Sequence, residues 1–262
     1  MDQAGDLDAE IHSRFGEDPK RTLRDNLAAV EGRIATACAR AGRARSAVRL
    51  LPVSKTVPVE VVRLAVGIGM TTLGENKVQE AKGKAEALAG LGVSWSVIGH
   101  LQTNKAKAMI AFAGEFQALD SLRLAGWLHE SLVAANRTLD VFVQVNTSGE
   151  ESKYGIRPEE ADAFVGELGR FPSLKPKGLM TLAILKGGPE EVRACFRRLH
   201  AVRERLQRTR PDCGITQLSM GMTGDFEIAI EEGADIVRVG QAIFGKRPTV
   251  DGHFWPGLLP VA

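Results

Sequence analysis

Two cations and two glycine-containing turns are the parts of this chain best suited to do chemistry. Lys55 stands in "VSKTVP", where the apolar run Leu50, Leu51 and Val53 gives way to a turn. Arg238 lies far away in the chain, in "ADIVRVG". Alternation along a strand puts Leu51, Val53 and Lys55 on one face, and Ile236, Arg238 and Gly240 on one face of the other. If those strands are neighbours with both faces inward, the two cations share one mouth. Such a pair is unfavourable without an anion, and it disfavours the charged form of the lysine. A neutral lysine amine is a Schiff-base nucleophile. Taken alone, Lys55 reads as a solvated loop charge; Arg238 removes the advantage of that reading.

An anion site is written into the last two turns. "SMGMTGD" (219–225) offers Ser219 and Thr223 hydroxyls beside glycines, and Gly240 and Gln241 open "GQAIFG". Glycine lets a ligand approach the backbone closely, and the N–H groups of a short helix start can point at phosphate. A lysine nucleophile beside a phosphate cradle points to pyridoxal phosphate. The same pair would also serve a cofactor-free Schiff-base aldolase acting on a phosphosugar.

The elements that must position these residues alternate strictly. Strands are expected at 48–54, 70–74, 94–99, 116–120, 139–146, 174–181, 215–220 and 234–240, from their β-rich apolar runs. Helices are expected near 58–67, 76–89, 103–112, 121–136, 158–169, 189–209 and 224–232, with another at about 20–41 before the first strand and a short one after Gly240. Eight strands in β/α alternation imply parallel pairing through right-handed crossovers. The fold class is therefore α/β, a single (β/α)8 TIM barrel with an N-terminal helix ahead of it. An open doubly wound sheet is the alternative, but no Gly-rich dinucleotide fingerprint follows the first strand. Residues 21–248 form the barrel. Residues 1–20, with six Asp/Glu against Arg14 and Lys20, read as a mobile acidic extension, and 249–262 as an irregular tail. In a barrel the site gathers at the C-terminal strand ends, where "SKT", "GEN", "GHLQTNK", "NTSGEESKYG", "LMT", "SMGMTGD" and "RVGQ" all fall.

Composition excludes several classes of function. No apolar run approaches the ~18 residues of a membrane span, and the first twenty residues lack the apolar stretch of a secretory signal. A net charge of +2 gives no polyanion signature. The arginine-rich "RACFRRLHAVRERLQRTR" (193–210) carries Cys195, Phe196, Leu199, Val202 and Leu206 at helical spacing, so its arginines form a solvated face rather than a nucleic-acid site. Cys38, Cys195 and Cys213 are odd in number, without ligand spacing, and read as reduced thiols of the cytoplasm. His12, His129, His200 and His253 share no metal-ligand spacing. Trp95, Trp127 and Trp255 read as packing.

From about residue 25 to Arg247, "VSKTVP", "GENKVQEA", "IGHLQTNK", "VNTSGEESKYGI", "KGLMTL" and "SMGMTGDFEIAIEEGADIVRVGQAIFG" resemble the pyridoxal phosphate homeostasis protein family. That family is similar to the barrel domain of alanine racemase and lacks the racemase's second domain. The resemblance implies that Lys55 holds pyridoxal phosphate as a Schiff base and that Arg238 faces its pyridine nitrogen. It implies phosphate contacts from Ser219, Gly240 and the Gln241 backbone, ring neighbours Asn76 and Met180, and a phosphate loop at Met222 and Thr223. Thr223 and Gln241 depart from the serine and threonine of many members, but Thr223 keeps a hydroxyl and both keep a backbone donor. His100 and Asn104 receive no assigned role. An arginine cannot take the pyridine proton, so it leaves a weak electron sink. Tyr154, the single tyrosine, reads as loop packing rather than as the racemase's catalytic tyrosine. The implied function is a monomeric, non-catalytic holder of pyridoxal phosphate, passing it to apo-enzymes in some settings. The alternative is a weak amino-acid racemase.

Overall fold

The computed structural model describes residues 3–245. Helix α1 (Gln3–Phe15) and helix α2 (Pro19–Arg40) precede the first strand. Then follow β1 (Arg49–Pro52), α3 (Val59–Val66), β2 (Thr72–Glu75), α4 (Val78–Ala87), β3 (Ser94–Val97) and α5 (Ala106–Ile110). The second half runs β4 (Ala113–Leu119), α6 (Leu122–Ala134), β5 (Leu139–Gln144), α7 (Ala161–Leu168), β6 (Leu174–Met180), α8 (Pro189–Thr209), β7 (Gln217–Ser219), α9 (Phe226–Glu231), β8 (Ile236–Val239) and α10 (Gln241–Phe244). Every strand pair is parallel, in the order β1-β8-β7-β6-β5-β4-β3-β2. Val53 bridges Gly74, and the Ser54 N–H donates to the Gly74 carbonyl at 3.0 Å, which closes the cylinder between β1 and β2. This is the expected (β/α)8 barrel.

Every strand contributes buried apolar side chains to the wall, while β2, β3 and β7 alternate them with polar or small residues. Leu51, Leu73, Val97, Phe116, Val141, Val143, Leu179, Leu218 and Val237 are all buried. Helix α8 buries Val192, Cys195, Phe196, Leu199, Val202 and Leu206, the stripe foreseen from the sequence. Some of its arginines are tied to acidic partners: Arg193 reaches Glu232 at 2.6 Å and Glu231 at 2.8 Å, and Arg205 reaches Asp162 at 2.6 Å, while Arg197 and Arg208 remain exposed. Trp95 is buried as expected, whereas Trp127 is half exposed on α6.

The N-terminal segment departs from a loose extension. α1 docks at its C-terminal end, where Phe15 is buried and Thr22 donates to the Phe15 carbonyl at 2.6 Å. Asp18 caps α2 through the Arg21 N–H, with Pro19 at the first helical position. The tail at 249–262 and Trp255 lie outside the described residues.

Candidate functional site

At the C-terminal mouth, β1 and β8 are neighbours in the register Leu51↔Arg238 and Pro52↔Val239. A cavity of 330 Å³ there is lined by Lys55, Arg238, Asn76, the loop Met222–Asp225, and Gly240 and Gln241. Both cations thus stand at one mouth, Arg238 on β8 and Lys55 in the turn that follows β1. Gly240 opens α10 so close to β1 that a Cβ on it would lie 3.0 Å from the Val53 carbonyl oxygen. Gly221 takes φ +92°, a value glycine tolerates, and a Cβ there would meet Ala229 at 2.7 Å. The loop is tied down by Arg238 N–H to the Gly221 carbonyl at 2.9 Å and Met222 N–H to Asp225 Oδ1 at 2.5 Å. Ala242 N–H reaches the Thr223 hydroxyl at 3.4 Å, so the two glycine turns touch.

Two of the nine residues sit beneath the cavity instead of lining it. Met180 is buried at the end of β6, paired with Ser219. Ser219 is fully buried, accepts from Arg238 at 2.7 Å and donates to Gln117 Oε1 at 2.6 Å. Its hydroxyl therefore orients the arginine. The second guanidinium arm of Arg238 donates to the Thr181 carbonyl at 2.8 Å.

Arg238 is 3% exposed, and burial pulls its pKa down to about 10, with Asp225 opposing that shift. Among the described residues no carboxylate lies within ion-pair distance of it. A buried guanidinium so placed favours an anionic ligand in the mouth. Asp225, beside the loop, is in turn pushed above the usual carboxylate range by burial, against the pull of the Met222 N–H and Arg238.

Ser219 is one link in a chain running down the barrel interior. Gln117 donates to Glu115 at 2.6 Å, Ser96 donates to the same oxygen at 2.6 Å, and Arg49 closes the far end on Glu115 Oε2 at 2.7 Å. A guanidinium only donates and an ionised carboxylate only accepts, so the direction of every bond is fixed. Arg238 gives to Ser219, Ser219 to Gln117, and Gln117 to Glu115.

Outside the wall, a second polar cluster grips the lysine turn. Lys84 on α4 donates to Glu75, to Glu80 and to the Ser54 carbonyl, each at 2.7 Å. Ser54 Oγ donates to Glu75 at 2.7 Å, and the Thr56 N–H donates to Glu80 at 2.6 Å. Glu75 is fully buried and its Oε2 has no hydrogen-bond partner. Burial raises its pKa despite Lys84, and Glu80 adds to the rise. Sequence reasoning missed Glu75, Glu80 and Lys84. The Glu80–Lys84 spacing of four along α4 was visible, but such pairs are usually surface decoration.

An adjoining cavity of 460 Å³ shares Lys55 and Asn76 and adds His100, Lys105 and Tyr154. His100 and Tyr154 stack at 3.8 Å between centroids and 9° between planes. His100 also faces Asp120 at 3.4 Å, and burial raises the Asp120 pKa, with His100 opposing the rise. Asn104 is exposed and lines neither cavity.

Among the described residues no group of three or more His, Cys, Asp or Glu could hold a metal ion, and no helix is long and apolar enough to cross a membrane.

Comparison with known proteins matches residues 26–248 to the family model "Alanine racemase, N-terminal domain". A protein of Aquifex aeolicus named "Pyridoxal phosphate homeostasis protein" is 43% identical over 223 residues, spanning 85% of this chain and 97% of its own length. The solved structure of PipY from Synechococcus elongatus with PLP bound superposes with a TM-score of 0.73 at 31% identity, covering 81% of this chain and all of that one. An alanine racemase of Clostridium difficile superposes at 0.65 with 17% identity, covering 87% of this chain and 57% of its own, and shares the fold.

Proposed function

This chain belongs to the pyridoxal phosphate homeostasis protein family, and we propose from that membership that it holds pyridoxal 5'-phosphate as a Schiff base on Lys55 and is not an efficient catalyst. The observation that carries the reading is the shared mouth: Lys55 and the buried, carboxylate-free Arg238 face one cavity floored by two glycine turns. The residues fit the group. The N–H groups at Gly240 and Gln241 and the loop Met222–Thr223 would hold the phosphate, Arg238 would face the pyridine nitrogen as a donor, and Asn76 would border the ring. Met180 and Ser219 support from below, the serine by aiming Arg238.

When bound, the cofactor supplies a reactive aldehyde and a ring able to draw electrons. What the chain adds argues against using the ring. Arg238 keeps its proton and cannot accept the pyridine's, so the ring is not driven to its strongest electron-withdrawing form. The protein thus limits free aldehyde in the cytoplasm and hands the cofactor to apo-enzymes that need it. It acts as a monomer. Three free thiols, two of them buried, suit a reducing compartment.

One observation favours the weak-racemase alternative. His100 and Tyr154 line a cavity that also contains Lys55, so acid/base groups stand near the lysine. The discriminating experiment uses holo-protein and single amino-acid enantiomers. The expected result is a yellow protein, with borohydride fixing the cofactor to the Lys55 peptide, no binding in Lys55→Ala, and no sustained racemisation. Racemisation lost in Lys55→Ala would establish the alternative, and colourless protein that ignores added cofactor would remove both.

A further inference from the structure

Lys55 occupies the second position of a four-residue turn, Ser54 to Val57, closed by the Val57 N–H on the Ser54 carbonyl at 3.0 Å. The third position is Thr56, with φ +63°. Turns of that shape normally place glycine or asparagine there, and a β-branched residue at positive φ is an outlier. Thr56 gains nothing through its own side chain, since Oγ1 is buried without a hydrogen-bond partner. The strained turn must be held by its surroundings.

Three charged side chains hold it, one on each successive peptide. Lys84 takes the Ser54 carbonyl at 2.7 Å, Glu80 takes the Thr56 N–H at 2.6 Å, and Arg14 takes the Thr56 carbonyl at 3.0 Å. The Glu80 bond reads the orientation of the Lys55–Thr56 peptide. If that peptide flips to the relaxed turn, its N–H leaves Glu80 and the lysine side chain is re-aimed. Arg14 arrives from α1, ahead of the 26–248 segment that the family model matches. Its side chain is 9% exposed, paired with Glu10 at 3.0 Å, and it also reaches the Phe244 carbonyl at the end of α10 at 3.4 Å. Arg14 therefore ties the lysine turn to the short helix that begins at the glycine cradle.

We propose that Glu80, Lys84 and Arg14 form a positioning brace that fixes the peptide orientation at Lys55, and so sets how fast Lys55 captures and releases its ligand. The inference rests on the cofactor reading above. Arg14 makes the brace span both halves of the site, so loosening it weakens lysine and cradle together.

The test compares full-length wild type, Arg14→Met, Arg14→Lys, Glu80→Leu and Glu80→Gln. Each is first checked for folding by circular dichroism and thermal melting. Glu80→Leu slows uptake of pyridoxal phosphate about tenfold, the loss of one charge-assisted hydrogen bond. Arg14→Met speeds release to a carbonyl trap several-fold, to the extent of one bond to a carbonyl. Glu80→Gln and Arg14→Lys, which keep an acceptor and a donor, recover most of each effect. Hydrogen exchange at the Thr56 amide, measured without ligand, rises in Glu80→Leu. Folded Glu80→Leu and Arg14→Met with wild-type uptake and release would overturn the brace. If wild type itself takes up no cofactor, the cofactor reading falls and Thr56 exchange decides alone: unchanged protection in Glu80→Leu sinks the brace. Should Glu80→Leu fail to fold, the Arg14 pair carries the same decision.

Discussion

At the scale of single residues, Arg238 is a buried cation with no carboxylate in ion-pair distance among the described residues. A folded-state pKa pulled by burial to about 10, below the ordinary guanidinium range, means the buried guanidinium opposes folding by about 3 kcal/mol. That cost is fully present below about pH 10 and fades only as the pH climbs toward the unfolded value. Its hydrogen bonds to Ser219 and Thr181 return about 1–3 kcal/mol each. The two contributions nearly cancel. Arg238→Met is therefore expected to leave the stability of the ligand-free protein within about 2 kcal/mol of wild type, while cofactor affinity falls tenfold or more. Urea denaturation and a spectral titration check the two halves separately. Arg238 was legible in the sequence because a period of two assigns a strand face without knowledge of its partners, and Lys55 because it follows an apolar strand, although it stands in the turn beyond β1. The work of Ser219, Glu75, Glu80 and Lys84 was not, because hydrogen bonds made across packed elements leave no period behind.

At the scale of elements, helix and strand assignments followed the sequence to within a few residues at either end, except for helix α1, which falls where a mobile extension was expected. Helix α8 was legible as amphipathic, yet its arginines' partners on α9 were not, since nothing local ties residue 193 to residues 231 and 232. The strand pair β6 and β7 holds a second hidden constraint at Gly178. A Cβ at that position would stand 2.0 Å from the Gln217 carbonyl oxygen and 2.8 Å from the Phe142 ring. Neither a ladder carbonyl nor a core phenyl ring can retreat cheaply. Gly178→Ala should cost about 3 kcal/mol, at the upper end for overpacking a core. The measurement is a lowered denaturant midpoint at unchanged slope. Because β7 ends at Ser219, the same variant should also weaken cofactor binding by misplacing the support of Arg238.

At the scale of the whole molecule, β/α alternation made the barrel legible, whereas its interior was not. Glu115, Gln117 and Ser96 look like interruptions in apolar strands, but together they carry a satisfied hydrogen-bond chain from Arg49 to Arg238. Such a chain is tolerated in a core because every member has a partner. The barrel also holds carboxyls partly or fully withdrawn from water near its mouth: Glu75, buried at the end of β2, and the half-buried Asp120 after β4 and Asp225 after β7. Burial raises the pKa of all three. A carboxyl with a raised folded pKa binds its proton more tightly in the native than in the unfolded chain. Between the unfolded value near 4 and the raised folded value, lowering the pH therefore favours the native state, and stability falls as pH rises through that window. Glu160, Asp162 and Glu231 act in the opposite sense, since arginine and hydroxyl or backbone donors lower their pKa values. Those three are solvent-accessible, and screening leaves them little weight. The buried set wins. The denaturation midpoint of the ligand-free protein is expected to hold or rise as pH drops from 7 toward 5, and a steady fall across that range would contradict the assignment of burial as the dominant cause.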